Sequence, residues 1–349
     1  MKNFWNILKH KKKFIYALAP MAGYTDSAFR QICKGFGAEI VYSEMASATA
    51  LVYNPQKTLE MLEFSEIERP YVVQLFGSEP GHFEGAVKLL TKKPPSGFKS
   101  HSVAISIPDG FDINFGCPVK KVAKQGAGAV LMNKPKLARE IIKAVINSTD
   151  LPVSIKTRTK VGEVDVLQFL DQINDLDIKA VMIHGRTLGQ GFSGPIDWQV
   201  IKKARNDFNG IILANGGVGT TLTPNPSPAR SSRERGTNVK DYVEWLLDKT
   251  KADGIGIARG ALGRPWIFKA VRTGQSVERT ARPIFKIALK QAKLVEKLKG
   301  EQGLIEMRKH LCWYVQGLPG AKKMREELVR VESIKDIENV FNENSRLSP

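Results

Sequence analysis

Cysteine, acid and long apolar runs are what this chain has least of. Its three cysteines, Cys33, Cys117 and Cys312, lie far apart and show no Cys-x-x-Cys spacing. A zinc ribbon and a disulfide framework are thereby excluded, and scattered free thiols suit a reducing cytoplasm. The apolar stretch 14–22 is short and holds Pro20. It fits a first β-strand better than a membrane span or a signal-peptide core. That strand ends in Pro20-Met21-Ala22-Gly23, not in a Gly-x-Gly-x-x-Gly turn, which argues against a doubly wound dinucleotide-binding sheet. Acids are outnumbered: Asp+Glu 35 against Lys+Arg 53 leaves a net charge of +18. Such an excess favours a polyanionic partner, a nucleic acid or an anionic membrane surface.

What is present is a βα rhythm. Eight short apolar runs occur at 14–19, 38–43, 71–76, 110–115, 152–156, 180–184, 210–215 and 254–258. Each is too short for a core helix, and several are β-branched. Amphipathic segments such as 136–147, 164–174 and 239–249 lie between them. Strand starts are about 34 residues apart on average, the length of a βα unit. The pattern predicts an α/β architecture, a (β/α)8 TIM barrel over residues 14–275. After Trp266 the strand signal stops, and 284–299, 304–316, 321–331 and 334–341 read as amphipathic helices. A small all-helical C-terminal domain is expected over 282–343, and residues 1–13 form a basic N-terminal segment. Two proline-containing stretches, near 92–108 and near 220–236, read as loop insertions.

The C-terminal ends of barrel strands converge on one mouth. Here they carry Pro20-Met21-Ala22, Ser43-Glu44, Gln74, Asn114 and Cys117, Lys156 and Arg158, His184 and Arg186, Asn215-Gly216-Gly217, and Ala258-Arg259-Gly260. Singly, each has a bland explanation: a solvated lysine tip, a structural histidine, a glycine turn. Barrel strands favour apolar residues, so the whole series points to a site. Loops after the seventh and eighth strands often bind phosphate through backbone N–H groups. Gly216-Gly217 and Gly260 allow close backbone approach, and Arg259 adds charge. A phosphorylated cofactor or substrate is implied. FMN fits, with its ring beside Lys156 and His184. Aldol or phosphosugar chemistry stays open, because a barrel lysine can also form a Schiff base. The Gly116-Cys117-Pro118 turn offers a thiol as nucleophile, metal ligand or proton donor.

Several motifs, in order along the chain, resemble those of the tRNA-dihydrouridine synthases. They are Leu18-Ala19-Pro20-Met21-Ala22-Gly23-Tyr24-Thr25-Asp26, Asp112-Ile113-Asn114-Phe115-Gly116-Cys117-Pro118, His184-Gly185-Arg186-Thr187 and Gly263-Arg264-Pro265-Trp266-Ile267-Phe268. The run Arg308-Lys309-His310-Leu311-Cys312-Trp313-Tyr314 resembles the helical tRNA-binding domain of the bacterial members. The resemblance implies non-covalent FMN in the barrel and NADPH-dependent reduction of uridine to 5,6-dihydrouridine in tRNA. On matching positions it implies FMN contacts from Pro20, Met21, Ala22, Gln74, Lys156, His184, Asn215, Gly216, Gly217, Ala258 and Arg259. Cys117 is then the proton donor, and Asn114, Arg158 and Arg186 meet the uracil. The chain departs from the family at Gly217, where an acidic residue is frequent, and at Ala258, where glycine is common. The segment 159–166 reads as shortened.

The expected chemistry is hydride from reduced flavin to C6 of uracil and a proton from Cys117 to C5. The base must leave its stack to be reached. Lys156, His184 and Arg186 are expected to stabilise the reduced flavin and the uracil carbonyls. Lys286, Lys290, Lys293 and Lys297 share one helical face, a candidate surface for the tRNA backbone. The rivals are a flavin-dependent dehydrogenase of a free pyrimidine, which needs neither +18 nor a basic tail, and a catalytically weakened RNA-binding relative. The expected partners are tRNA and NADPH, with no membrane and no metal, in the cytoplasm.

Overall fold

Every second residue of a strand turns inward, and the inward set decides what kind of barrel can close. The computed structural model describes residues 3–92, 106–219, 238–277 and 280–345. Eight parallel strands close on themselves: β1 (Ile15–Leu18), β2 (Ile40–Ser47), β3 (Tyr71–Phe76), β4 (Gly110–Phe115), β5 (Val153–Arg158), β6 (Ile178–His184), β7 (Ile211–Asn215) and β8 (Gly254–Ile257). Each pairs with its neighbour in sequence, and β1 completes the ring by pairing with both β2 and β8. The expected α/β barrel is therefore the fold. Helices such as Pro135–Ile146 and Val239–Thr250 cover the outside. The segment 159–166 holds a small antiparallel ribbon, Lys160–Val161 against Val164–Asp165. The helix after it starts at Val166, later than the expected 164, because the Asp165 carboxylate caps it by accepting from Gln168 N–H at 2.9 Å. Of the two expected insertions, residues 93–105 and 220–237 lie outside the described residues.

The interior is layered. Outward residues of β4, Phe111, Ile113 and Phe115, join the shell packed under the helices. Inward apolar residues, among them Ile15, Ile40, Val72, Met182 and Leu213, cluster into a floor. The N-terminal segment supplies part of it. Beyond its basic charge, it is a helix, Phe4–Lys11, capped by Asn3, whose Oδ1 accepts from Trp5 N–H at 3.1 Å. Phe4 and Trp5 enter the floor, and Trp5 is 1% exposed. Above the floor lies a polar layer of Gln74, Asp112 and Ser154, joined by hydrogen bonds. Above that, Asn114, Lys156, His184 and Asn215 reach the mouth; strand register sets Asn114 beside Lys156 and His184 beside Asn215.

The C-terminal region is helical, as expected. The two helices expected over 284–299 and 304–316 are present within Ala281–Tyr314, separated at Gly300, whose φ of 63° and ψ of −156° no helical residue adopts. Ala321–Leu328 and Ile334–Ser345 follow. These helices share a core in which the rings of Phe285 and Phe341 stack at 4.1 Å. Ala28 of the first barrel helix and Trp266 belong to the same cluster, so the region is docked by apolar packing. Among the described residues no helix is long and apolar enough to cross a membrane.

Candidate active site

The strand ends enclose a cavity of about 350 Å³, within the size range of small-molecule sites. All fifteen residues singled out from the sequence line it: Pro20, Met21, Ala22, Gln74, Asn114, Cys117, Lys156, Arg158, His184, Arg186, Asn215, Gly216, Gly217, Ala258 and Arg259. The β7 and β8 ends are built for close approach. Gly217 has a φ of +77°, and a Cβ there would collide with the Tyr242 hydroxyl. A Cβ at Gly260 would collide with the Val218 carbonyl. Side chains are thus kept out of this corner, and backbone forms its wall.

A chain of hydrogen bonds holds the β4 end. Asn114 Oδ1 accepts from the N–H of Gly116 at 3.0 Å and of Cys117 at 2.9 Å. Asn114 Nδ2 donates to Gln74 Oε1 at 2.9 Å. Arg158 faces the same turn from β5. Its Nε donates to Gly116 O at 2.9 Å, and its Nη1 donates to Thr187 O and Gly191 O at 3.1 and 2.9 Å. Arg158 therefore ties the cysteine turn to the loop after β6. Arg186 braces that loop through Gly194 O at 2.8 Å, with Nη1 3.4 Å from His184 Nε2.

The electrostatics are one-sided. Lys156, Arg158, Arg186 and Arg259 line the cavity, and among the described residues no carboxylate does. Among the described residues none of the four forms an ion pair. Burial pushes Lys156 down to about 8, with Arg158 adding to the shift and Asp112 and Cys117 opposing it. Burial also lowers Arg158, Arg186 and Arg259. His184 falls to about 2, through burial first and then the four cations around it. Its ring is therefore neutral, a hydrogen-bonding group and not the cation that charge stabilisation of a ligand would use. A desolvated cluster of one sign is relieved by an anionic ligand. Glycine-walled backbone beside Arg259 suits a phosphate, and Lys156 beside an open cavity suits a polarisable ring, so the residues fit FMN.

Met45, Phe192, Tyr24 and Trp313 are among the further lining residues, which the sequence reading gave no role in the site. Met45 enters because β2 runs to Ser47 with a register shift between Tyr42 and Met45. The strand was expected to stop at 43. The Glu44 carboxylate, expected at the mouth with Ser43, instead accepts from Gly23 N–H and pins the Met21–Thr25 turn. Phe192, 51% exposed, lies on the loop after β6, with the Arg259 guanidinium 4.2 Å from its ring centre and His184 at 6.0 Å. Tyr24 and Trp313 close the side toward the helical region. That side is keyed to the barrel: Lys299 pairs with Asp26 at 3.3 Å, and the rings of His310 and Tyr24 meet edge-on at 5.3 Å. Phe192 and Trp313 carried one usable signal, an aromatic in a polar loop or amid a basic helical run. The stripe Lys286, Lys290, Lys293 and Lys297 is exposed, and Lys293 pairs with Glu338 at 3.1 Å. Among the described residues no group of three or more His, Cys, Asp or Glu could hold a metal.

Comparison with known proteins agrees with this geometry. The sequence profile described as Dihydrouridine synthase (Dus) matches residues 17–346. A probable tRNA-dihydrouridine synthase 1 of Synechocystis sp. is 29% identical, over 93% of this chain and 84% of its own length. The tRNA-dihydrouridine synthase B of Pseudomonas aeruginosa is 30% identical, over 90% of this chain and 88% of its own. Among solved structures, a histamine dehydrogenase from Rhizobium sp. 4-9 shares the fold at a TM-score of 0.51 and 12% identity, covering 81% of this chain and 49% of that one. With a cysteine turn, a cationic cavity and a profile match across nearly its whole length, this chain belongs to the dihydrouridine synthase family.

Proposed function

We propose that the protein reduces uridine to 5,6-dihydrouridine in tRNA, with FMN held non-covalently in the cavity and NADPH as reductant. The carrying observation is that a thiol and four cations, with no carboxylate beside them among the described residues, line one cavity at the barrel mouth. The names of the relatives, tRNA-dihydrouridine synthases, support the substrate. FMN, when bound, supplies the hydride that goes to C6 of the uracil. The turns at Gly216-Gly217 and Arg259-Gly260 hold its phosphate, and Lys156, Gln74, His184 and Asn215 orient its ring. Pro20, Met21, Ala22 and Ala258 complete the walls and exclude water. Asn114, Arg158 and Arg186 are the uracil side of the site, and Cys117 Sγ delivers the proton to C5.

A thiol suits that role. It needs to give one proton to carbon and regain it from solvent, and it sits on a turn fixed by two backbone hydrogen bonds. A uridine within folded tRNA reaches the cavity only after extrusion from its stack. Exposed Val119 and Phe192 at the rim offer apolar surface to the extruded nucleotide or its neighbours. The basic helical region is the tRNA-binding part, acting by backbone charge and shape.

The test is direct. Purified protein is loaded with FMN, reduced by NADPH and mixed with unmodified tRNA, and nucleosides are then read by mass spectrometry. Dihydrouridine at a defined tRNA position is expected. Retention of no flavin, or turnover of free uridine in place of tRNA, would replace this reading with one of its rivals.

A further inference from the structure

We propose that Asp112 is a positioning residue for the Cys117 thiol, acting through Gln74 and Asn114. The inference deepens the reading of Cys117 as proton donor and rests on it. Asp112 lies beneath the cavity, is 0% exposed and does not line the cavity. Its Oδ2 accepts from Gln74 Nε2 at 2.7 Å, and its Oδ1 accepts from Ser154 Oγ at 2.7 Å. Gln74 Oε1 in turn accepts from Asn114 Nδ2, and Asn114 Oδ1 accepts from the backbone of Gly116 and Cys117.

The ends of this chain have fixed polarity. Backbone N–H groups at 116 and 117 only donate, and an ionised carboxylate only accepts. The two amides between them therefore have one satisfied orientation. Turning either one over sets donor against donor or acceptor against acceptor. Inside a barrel each such mismatch is costly, because water cannot repair it. Asp112 is thus the acceptor that fixes Gln74, which fixes Asn114, whose oxygen closes the turn presenting the thiol. Burial raises the Asp112 carboxyl to about 6, and the bonds from Gln74 and Ser154 and the Lys156 charge pull it the other way. It is mostly ionised at neutral pH, as the polarity argument requires.

A bland alternative is a buried carboxylate that merely ties β4 to β5 through Ser154. A double-mutant cycle separates the two. Q74E sets a second carboxyl against Asp112; with both ionised no donor lies between them and the relay breaks, so the rates are read above the pH at which the pair shares a proton. D112N alone is expected to be mild, within about threefold. The new amide can still accept from Gln74 and donate to Ser154 Oγ, which also lies 3.3 Å from Phe111 O. In D112N/Q74E the amide at 112 donates to the carboxylate at 74, which still accepts from Asn114, and the relay is whole again. The second substitution should therefore repair the first.

The readout is site-resolved alkylation by iodoacetamide, followed by mass spectrometry on the full flavin-loaded chain. Cys33 is buried and Cys312 part-buried, so they report general loosening. Q74E should change the Cys117 rate at least about tenfold, the scale of a misplaced catalytic group. That rate should return most of the way in D112N/Q74E, with Cys33 and Cys312 unchanged throughout. Folding of the double variant where Q74E alone aggregates counts as the same repair. Asp112→Ala, which removes the acceptor, should by itself change Cys117 alkylation at least about fivefold while Cys33 stays protected. An unchanged Cys117 rate in that variant, or a double variant no better than Q74E, overturns the proposal. Alkylation needs no tRNA, so failure of the proposed activity leaves this test able to decide.

Discussion

The two ends of the barrel are made by the same eight strands and obey opposite rules. The floor is filled with apolar side chains, Trp5 and Met182 among them, and is closed by the helix Phe4–Lys11. The mouth is lined by four cations, three amides from β3, β4 and β7, a neutral histidine and a thiol. Packing energy accumulates at one end, where burying a large side chain contributes about 1.5–3 kcal/mol. Electrostatic strain accumulates at the other, where four cations share one cavity and, among the described residues, no carboxylate lines it. The fold can hold that strain because the middle layer is hydrogen-bonded throughout and the floor is tightly packed. Stability and chemistry should therefore be separable by mutation, and each prediction below tests that separation.

The largest effect belongs to the mouth. Cys117→Ala should slow flavin reoxidation by tRNA by about 10²–10⁴-fold, the usual loss on removing a general acid. Flavin reduction by NADPH and thermal stability should stay near wild type, since the side chain is small and only part-buried. Stopped-flow traces of the two half-reactions decide it. Equal slowing of both would move Cys117 from proton delivery to flavin binding.

The floor should show the reverse. Trp5→Ala removes a side chain that is 1% exposed and should cost about 3–5 kcal/mol, the range for large aromatics in cores. Urea unfolding measures that cost. Activity per mole of bound flavin should hold for the molecules that remain folded. A loss of activity at full occupancy would mean that floor packing sets the geometry of the mouth, and the separation of the two ends would fail.

How far each end was legible from sequence follows the same division. The mouth was readable because polar residues at strand ends violate the apolar expectation for a barrel and so stand out as a series: Gln74, Asn114, Lys156, His184, Asn215. The run of eight strands was readable for its even spacing. What was missed needed three dimensions. Trp5 sat in a segment short enough that its charge hid its apolar face. Met45 depends on a register shift after Tyr42 that no residue pattern announces. Trp313 reaches the cavity only because a distant helix docks against the Met21–Thr25 turn. Asp112 was quoted within a motif, but its bonds to Gln74 and Ser154 cross strands and are invisible to spacing. The break at Gly300 was signalled by its glycine, yet a pair of glycines at 300 and 303 suggested a longer loop than the single non-helical residue found.

A smaller effect is expected from pH, again with opposite signs for function and stability. Lys156 titrates near 8 in the folded chain, against 10.5 ordinarily. Below about 8 it is a cation. Raising the pH from 7 to 9 should weaken binding of the anionic cofactor and slow the tRNA half-reaction by up to about tenfold, one charge being lost. Stability responds the other way. Between about 8 and 10.5 the unfolded chain holds a proton that the folded chain has released, so this group's contribution to stability rises with pH. His184, already neutral at about 2, adds no step between pH 5 and 8. Lys156→Met should flatten the profile. A step that persists in that variant assigns it to another group.

The smallest effect should come from the helical stripe, and it sharpens the comparison by adding a third surface that neither packs nor reacts. Lys286, Lys290 and Lys297 are exposed, and among the described residues none is in an ion pair, whereas neighbouring Lys293 is held by Glu338. If the stripe meets tRNA, each lysine releases counterions on binding, and log K falls with log salt by about 0.7–0.9 per contact. Reversing all three to Glu should weaken tRNA binding about threefold or more at physiological salt and make that slope shallower by about two. Flavin content, NADPH oxidation and unfolding midpoint should not move, because the three lysines are exposed and none lines the cavity. Titrations at several salt concentrations measure both quantities. An unchanged slope would take this face out of the tRNA interface and leave binding to the rim near Val119, Lys120 and Lys121. A changed midpoint would show that its charge is part of the packing after all.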